Sequence, residues 1–132
     1  MTDASYQRGV AIRYEMFGKE ATDAQLAGAD EFMSRLQDLV TGYCFGENWG
    51  RELLPLKIRS MITIAMLAGM GRENEIKIHV RGALANGVSR EEIGEVFLHA
   101  AVYAGVPAAV SGFRAASEVF AAIDAESAGG PS

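Results

Sequence analysis

The sequence predicts an all-α protein, because three of its features favour helices over strands. Apolar residues recur three and four positions apart in successive segments, which places them on one face of a helix. Only three prolines occur among the 132 residues, so long helices meet few breakers. Asp, Ser and Gly residues stand where such helices would begin and end. These features predict about six helices in a single domain over residues 1–132, with a disordered tail at 126–132.

Two helices are predicted ahead of residue 43. The first covers about 5–17, and Gly18 can end it. The second is a long amphipathic helix between Asp23, a capping residue, and Gly42. Its predicted apolar face consists of Leu26, Ala29, Met33, Leu36 and Val40.

Residues 44–55 are predicted to form a loop, because glycines and a proline interrupt the helical spacing there. Loops that carry tryptophan and arginine often form the wall of a binding site, and this loop carries Trp49 and Arg51. The alternative is that Trp49 simply fills the core.

The third predicted helix covers residues 56–70 and is apolar nearly all round. Such a helix is buried on most sides, which in a chain of this size favours burial against a second subunit as well. Arg59 is an exception within it. A buried arginine without a partner is costly, so Arg59 is predicted either to pair with a carboxylate of the protein or to bind a ligand.

Three more helices are predicted over residues 72–86, 89–104 and about 107–124. Gly87 follows the first of them as a stop signal. Ser89 and Glu92 have the spacing of a capping box that opens the next helix. The last helix is rich in small residues, which allow neighbouring helices to approach closely.

Glu75 and His79 lie four positions apart on the helix predicted at 72–86, so their side chains share one face. A carboxylate raises the pKa of a neighbouring imidazole and orients its ring, as proton transfer requires. The alternative is a surface ion pair that contributes about 0.3–0.5 kcal/mol. Arg81 points to another side of this helix, where it either contacts substrate or forms a salt bridge.

The charge and the composition exclude several classes of protein. A net charge of -5 argues against binding to nucleic acid or to an anionic membrane. It does not exclude a small anionic substrate, because a few arginines in one pocket suffice. No run of about 18 apolar residues is present, so no membrane span is expected. The N-terminal residues carry scattered charges, unlike a signal peptide, and the protein is predicted to be cytoplasmic.

Cysteine and histidine usage predicts neither a disulfide nor a metal site. Cys44 is the single cysteine, which rules out an intrachain disulfide and a Cys-based zinc site. His79 and His99 are the two histidines, and their spacing matches no metal motif.

Several strings of the sequence resemble the carboxymuconolactone decarboxylase family, in the γ-carboxymuconolactone decarboxylase branch of the alkylhydroperoxidase-like superfamily. The resemblance extends over about residues 6–124. The most specific string, H-x-R-x-A-x-x-N-G-V-x-x-E-E-I, begins at His79. The strings W-x-R from Trp49 and R-S-x-x-T-I-A-M from Arg59 indicate the decarboxylase branch.

The resemblance implies an all-α, alkylhydroperoxidase-like fold and a homo-oligomer, either a hexamer or a trimer. It further implies a carboxy-lyase that converts 4-carboxymuconolactone to 3-oxoadipate enol-lactone in protocatechuate catabolism, the β-ketoadipate pathway. This small anionic lactone supplies its own electron sink, so no cofactor is expected. His79, oriented by Glu75, is then the acid that returns a proton to the ring.

The same interpretation assigns five residues to substrate binding. Arg51 or Arg59 would clamp the acetate arm of the substrate in a bidentate manner, and Trp49 would wall the pocket. Arg81 and His99 complete the predicted set. His99 stands where the resemblance leads us to expect glutamine, which favours a different substrate if His99 lines the pocket.

Three alternatives remain open at the level of the sequence. The first is a cofactor-free lyase, isomerase or cyclase acting on another lactone or ring. The second is a non-catalytic oligomeric binding protein, for which the apolar helix at 56–70 is equally suitable. The third is a thiol enzyme that uses Cys44. A helical C-x-x-C-x-x-x-H motif would need cysteines at Arg72 and Glu75, and the chain holds no second cysteine that could resolve the first.

Overall fold

A computed structural model describes residues 1–129 and shows helices but no strand within them. The all-α prediction is therefore confirmed. The helices are α1 (Asp3–Phe17), α2 (Lys19–Ala27), α3 (Glu31–Asp38), α4 (Leu56–Met70), α5 (Glu73–Ala85), α6 (Arg90–Ala104) and α7 (Val106–Ala128), and a π-helical segment (Leu39–Asn48) continues from α3.

The chain forms two compact units, an N-terminal unit of Met1–Arg59 and a C-terminal unit that starts at Ser60. The prediction of a single domain over residues 1–132 stays a prediction.

The prediction of a single long helix between Asp23 and Gly42 is wrong, because the structure divides this range between α2 and α3. α2 ends at Ala27, and Asp30 caps α3 by accepting a hydrogen bond from the Met33 amide (2.8 Å). Asp23 caps nothing and instead binds Lys19 Nζ (2.7 Å). After α3 the chain continues past Gly42 as the π-helical segment, which ends at Asn48. The first part of the loop predicted at 44–55 is therefore helical.

The π-helical segment crosses α1 at backbone contact, and glycines make this approach possible. A Cβ atom on Gly9 would lie 1.8 Å from the carbonyl oxygen of Thr41. A Cβ atom on Gly46 would lie 1.9 Å from the carbonyl oxygen of Ser5. The segment ends with the Trp49 amide donating to Cys44 (2.9 Å), the five-residue step of a π-helix.

The N-terminal unit has a small core in which Phe45 and Trp49 stack at 5.6 Å between ring centroids. Ile12 and Met16 of α1 pack in the same cluster. Trp49 therefore packs in this core, as one of the two interpretations predicts, and it also lines a cleft of the same unit, as the other predicts.

A buried arginine, Arg13, links α1 to the rest of this unit. Its guanidinium donates to Gln37 Oε1 (2.8 Å), Thr41 Oγ1 (2.9 Å) and Gln25 Oε1 (2.6 Å). Burial lowers the pKa of Arg13. The neutral acceptors bind its two Nη atoms, which offsets part of the cost of burying the charge, while the buried Nε has no hydrogen-bond partner among the described residues.

The C-terminal unit has the larger core, built by one face of each of α4 to α7. The buried members are Ile64, Ala68, Ile76, Val80, Ala83, Val88, Ile93, Phe97, Ala115, Ala116 and Val119. Gly112 lies directly against Phe97, where a Cβ atom would come within 2.5 Å of the ring. The prediction that small residues of the last helix permit close approach agrees with this contact.

The predicted capping box at the start of α6 is present. The Glu92 amide donates to Ser89 Oγ (3.0 Å), and the Ser89 amide donates to Glu92 Oε1 (2.9 Å). α4, α5 and α6 begin and end within one residue of the predicted positions.

α7 is longer than the predicted 107–124, because it runs on through Ala128. The tail predicted at 126–132 thus begins inside α7, and residues 130–132 lie outside the described part of the chain. α7 also has the length and hydropathy of a membrane-spanning helix, properties that core helices of soluble proteins share. One of its faces packs in the core of the C-terminal unit, and Arg114 pairs with Glu73 of α5 (3.1 Å).

Candidate functional site

α5 presents Glu75 and His79 on one face, as their spacing predicts. Ile76 and Val80 are fully buried, and they fix the rotation of the helix. The His79 side chain is consequently half-buried, whereas Glu75 is exposed. The two residues therefore lie at the boundary between the core of the C-terminal unit and its surface.

Two opposing effects set the protonation of His79. Burial is the larger and lowers the pKa of His79 below its usual 6.5, while the negative charge of Glu75 raises it. A fully solvated ion pair would show no such desolvation, so the interpretation as a simple surface pair does not describe this histidine. At neutral pH the imidazole is mostly uncharged and retains both a donor and an acceptor nitrogen.

Arg81 forms an ion pair with Glu126 of α7 (3.1 Å). The sequence left open whether Arg81 contacts substrate or forms a salt bridge, and this ion pair agrees with the second alternative. Arg81 also borders a groove between α5 and α7, together with Lys77 and Glu118, which pair with each other. Both cationic side chains of this groove, Arg81 and Lys77, therefore already form ion pairs with carboxylates.

His99 is exposed on α6 and lies against Tyr103, with 5.3 Å between the ring centroids. A role for His99 in substrate binding stays a prediction.

Arg51 and Arg59 belong to the N-terminal unit, where Arg59 holds the loop that carries Arg51. Arg59 donates to the carbonyl oxygen of Arg51 (3.2 Å) and to Asn48 Oδ1 (3.5 Å). The arginine thus stabilises the loop between the π-helical segment and α4. Whether it also binds a substrate carboxylate stays a prediction.

Trp49 and Arg51 line a cleft of about 310 Å³ in the N-terminal unit. Arg8 of α1 lines it as well, and we call this feature the Arg8–Arg51 cleft. Sequence reasoning did not single out Arg8. The available signal was its spacing of four residues from Ile12, which lines the same cleft.

Among residues 1–129, no three His, Cys, Asp or Glu side chains converge so that they could hold a metal ion. Cys44 lies half-buried on the π-helical segment with its thiol free.

Residues 34–118 match the carboxymuconolactone decarboxylase family. The chain is 36% identical over 115 residues to a protein named 4-carboxymuconolactone decarboxylase from Acinetobacter baylyi, covering 87% of this chain and 86% of the relative. It is also 36% identical over 105 residues to nitrosuccinic acid decarboxylase npaB from Metarhizium robertsii, covering 80% and 73% respectively.

A third relative is an uncharacterized 15.0 kDa protein in the nqo9-nqo10 intergenic region of Paracoccus denitrificans, 33% identical over 84 residues, with 62% of this chain and 63% of the relative covered. The names of the first two relatives confirm the prediction of a carboxy-lyase at the level of reaction class. By its family match and its similarity to these relatives, the chain belongs to the carboxymuconolactone decarboxylase family.

Proposed function

We propose that this protein decarboxylates 4-carboxymuconolactone to 3-oxoadipate enol-lactone, with His79 as the proton donor and Glu75 as its partner. The observation that carries the proposal is the half-buried imidazole, whose pKa is lowered by burial and raised by one adjacent carboxylate. The relative named 4-carboxymuconolactone decarboxylase, similar along 87% of the chain, supports the choice of substrate.

The reaction needs an acid but no external electron sink. The bond between the ring carbon and its carboxylate breaks, and its electron pair moves through the ring double bond to the lactone carbonyl. The resulting dienolate then collapses and takes one proton at the ring carbon next to that carbonyl. One proton is consumed and one CO2 is released, so the protein has to supply a proton and to stabilise the charge on the lactone oxygen.

His79 is suited to this step because burial and the charge of Glu75 act on its pKa in opposite directions, with burial the larger effect. In the free protein, burial favours the neutral ring. A dianionic substrate brings negative charge next to the imidazole, which raises the imidazole pKa and draws a proton from water. The imidazolium then donates this proton to the dienolate, and Glu75 stabilises the charged form while it exists.

Nitrosuccinate is a second candidate substrate, favoured by the equal identity of 36% to nitrosuccinic acid decarboxylase. Its name describes a dicarboxylate with a nitro group on the carbon beside a carboxylate. A nitro group accepts the electron pair of the departing carboxylate, as the unsaturated lactone does. The two candidates thus share a dicarboxylate, an internal electron acceptor and the need for one proton.

The proposal is tested by supplying the purified protein with each compound in turn and measuring CO2 release. We expect one CO2 per lactone consumed and a kcat/KM for the lactone well above that for nitrosuccinate. Preference for nitrosuccinate would move the assignment to the second candidate. Release of CO2 from neither compound would refute both.

We also propose that the protein is a homo-oligomer, with a hexamer as the expected state. Within the C-terminal unit, large apolar side chains are exposed on α4 and α6, among them Met66, Leu98, Val102 and Tyr103. Exposed apolar groups of this size and number typically mark an interface.

A further inference from the structure

We infer that a second copy of this chain packs against α3 and the start of the π-helical segment, as an antiparallel helix pair about a two-fold axis. Phe32, Leu36, Leu39 and Tyr43 follow one another at spacings of four, three and four residues, which places them on one face. We call this face the α3 stripe. Phe32 is 83% exposed and the other three are about half exposed, so residues 1–129 leave the stripe open to solvent.

Contacts on the neighbouring side of the helix hold the stripe in this outward position. Gln37 accepts a hydrogen bond from the buried Arg13 (2.8 Å), and Val40 packs against the core of the N-terminal unit. Each of these two residues directly follows a leucine of the stripe, and successive residues point about 100° apart around a helix. The helix therefore cannot turn the stripe inward without breaking both contacts.

The size of the stripe fits a contact between two folded chains. An aromatic side chain buries about 150–250 Å², and the two aromatic and two leucine side chains of the stripe together offer roughly 500 Å² in each copy. Two copies would then bury about 1,000 Å² in total, which is the lower bound for a specific interface.

The apolar side chains of the stripe are complementary to themselves in one antiparallel register. With the two-fold axis midway between Leu36 and Leu39, Leu36 lies opposite the partner's Leu39. Phe32 then lies opposite the partner's Tyr43, and the symmetry repeats each contact once. Aliphatic side chains thus meet aliphatic ones, and aromatic rings meet aromatic rings.

The charges beside the stripe match in the same register. Arg35 and Asp38 lie on the side of α3 away from Gln37. Across the two-fold axis, the partner's Asp38 lies within two residues of the level of Arg35, about 3 Å along the axis. Neither Arg35 nor Asp38 has an ion-pair partner among residues 1–129. Antiparallel pairing therefore supplies each of them with an opposite charge, twice by symmetry.

This inference rests on the proposed homo-oligomer but not on the proposed reaction. The apolar surface named for assembly lies on α4 and α6 of the C-terminal unit, whereas the α3 stripe belongs to the N-terminal unit. An assembly with dihedral symmetry needs two different contacts, of which one relates subunits by a two-fold axis. The stripe supplies the two-fold contact, so its loss should halve the mass of the assembly.

The first experiment measures the mass of the full-length protein by light scattering after size-exclusion chromatography. Leu36→Glu should have half the parental mass, because the contact would have to bury two carboxylates among apolar side chains. Leu53→Glu is the matched control and should keep the parental mass, since Leu53 is 85% exposed in the same unit but lies outside the stripe. A parental mass for Leu36→Glu, an equal loss in both variants, or a parent protein with the mass of one chain would each overturn the inference.

A charge exchange tests whether the stripe pairs with its own copy or with a different surface. Arg35→Asp and Asp38→Arg each place like charges against one another across the axis, and each should weaken self-association about tenfold or more. The double variant restores both ion pairs and should recover the parental Kd, measured by sedimentation equilibrium. Pairing of α3 with any other surface predicts no recovery, and that result would exclude the antiparallel pair.

Cross-linking locates the contact without disturbing its charges. Leu36→Cys and Ser34→Cys are compared in a Cys44→Ser background, so that each protein carries one thiol. A short bismaleimide should join two copies through Leu36→Cys, whereas Ser34 lies nearly half a turn away around α3 and should give no covalent dimer. Absence of the Leu36→Cys dimer, or equal yields from both positions, would contradict the register.

Turnover separates this inference from the proposed reaction. A parent protein that releases no CO2 from the lactone, but loses half its mass in Leu36→Glu, refutes the reaction and supports the α3 contact. A parent protein that turns over the lactone, but keeps its mass in Leu36→Glu, does the reverse.

Discussion

At the scale of single residues, His79, the proposed proton donor, illustrates how one helix can adjust the protonation of a side chain. Its side chain is drawn toward the core by Ile76 and Val80, which flank it on α5 and are fully buried. Burial penalises the charged imidazole, and Glu75, one turn earlier, partly offsets that penalty. A decarboxylase that consumes a proton needs such a group, because the imidazole has to accept a proton as well as release it.

The first prediction concerns the titration of His79. Its pKa in the parent protein should lie below 6.5, and Glu75→Gln should lower it further, because the substitution removes the negative charge that favours imidazolium. Proton NMR of the two histidines measures both values, and His99→Gln identifies which signals belong to His79. Glu91→Gln, on the first turn of α6, is the matched control and should leave the titration unchanged. A rise of the His79 pKa in Glu75→Gln would contradict the electrostatic account.

At the scale of helices, the crossing of α1 with the π-helical segment organises the N-terminal unit. Gly9 and Gly46 allow the two backbones to touch. This crossing places Arg8 beside Gly50 and so builds one wall of the Arg8–Arg51 cleft. The conformation of this region is therefore set by contacts between distant parts of the chain rather than by local preferences.

The second prediction follows from this crossing. Gly46→Ala should destabilise the protein by about 1–3 kcal/mol or more, because the added methyl group meets the Ser5 carbonyl oxygen at 1.9 Å. Gly69→Ala is the matched control on α4, where the nearest atom lies at an ordinary 3.6 Å. This control should be neutral or stabilise the helix by about 0.5–1 kcal/mol. Urea unfolding measures both changes, and an equal response of the two variants would refute the importance of the crossing.

The same contrast explains which helices could be predicted from the sequence. α6 was predictable because Ser89 and Glu92 specify its start locally. The break between α2 and α3 was not, because the apolar spacing continues across it from Leu26 to Met33 while Asp30 caps a new helix. The π-helical segment could not be predicted, because it depends on the close approach of α1. No local sequence pattern indicates that approach.

The candidate site was predictable to a similar degree. The pairing of Glu75 with His79 follows from spacing on one helix, so the sequence indicates it directly. The partner of Arg81, Glu126, lies 45 positions away, and spacing alone could not choose between a salt bridge and a ligand. Arg8 was missed because its place beside Trp49 and Arg51 depends on the crossing of α1.

At the scale of the whole molecule, the third prediction concerns assembly. Met66, Val102 and Tyr103 are 62%, 73% and 83% exposed in the single chain, which leaves a large apolar surface of the C-terminal unit in contact with water. Light scattering after size-exclusion chromatography should give a mass about six times that of one chain. Val102→Glu should lower this mass, because the interface would have to bury a charge. A mass of a single chain for the parent protein would refute the assembly.

The central claim is that His79 returns the proton in the decarboxylation of 4-carboxymuconolactone. The most direct test measures kcat for this lactone in the parent protein and in His79→Gln, after a thermal melt has shown that the variant is folded. We predict a loss of about 10²–10⁴-fold, the usual contribution of general acid catalysis, with partial recovery on addition of imidazole. A folded His79→Gln variant that turns over the lactone at the parental kcat would contradict the claim.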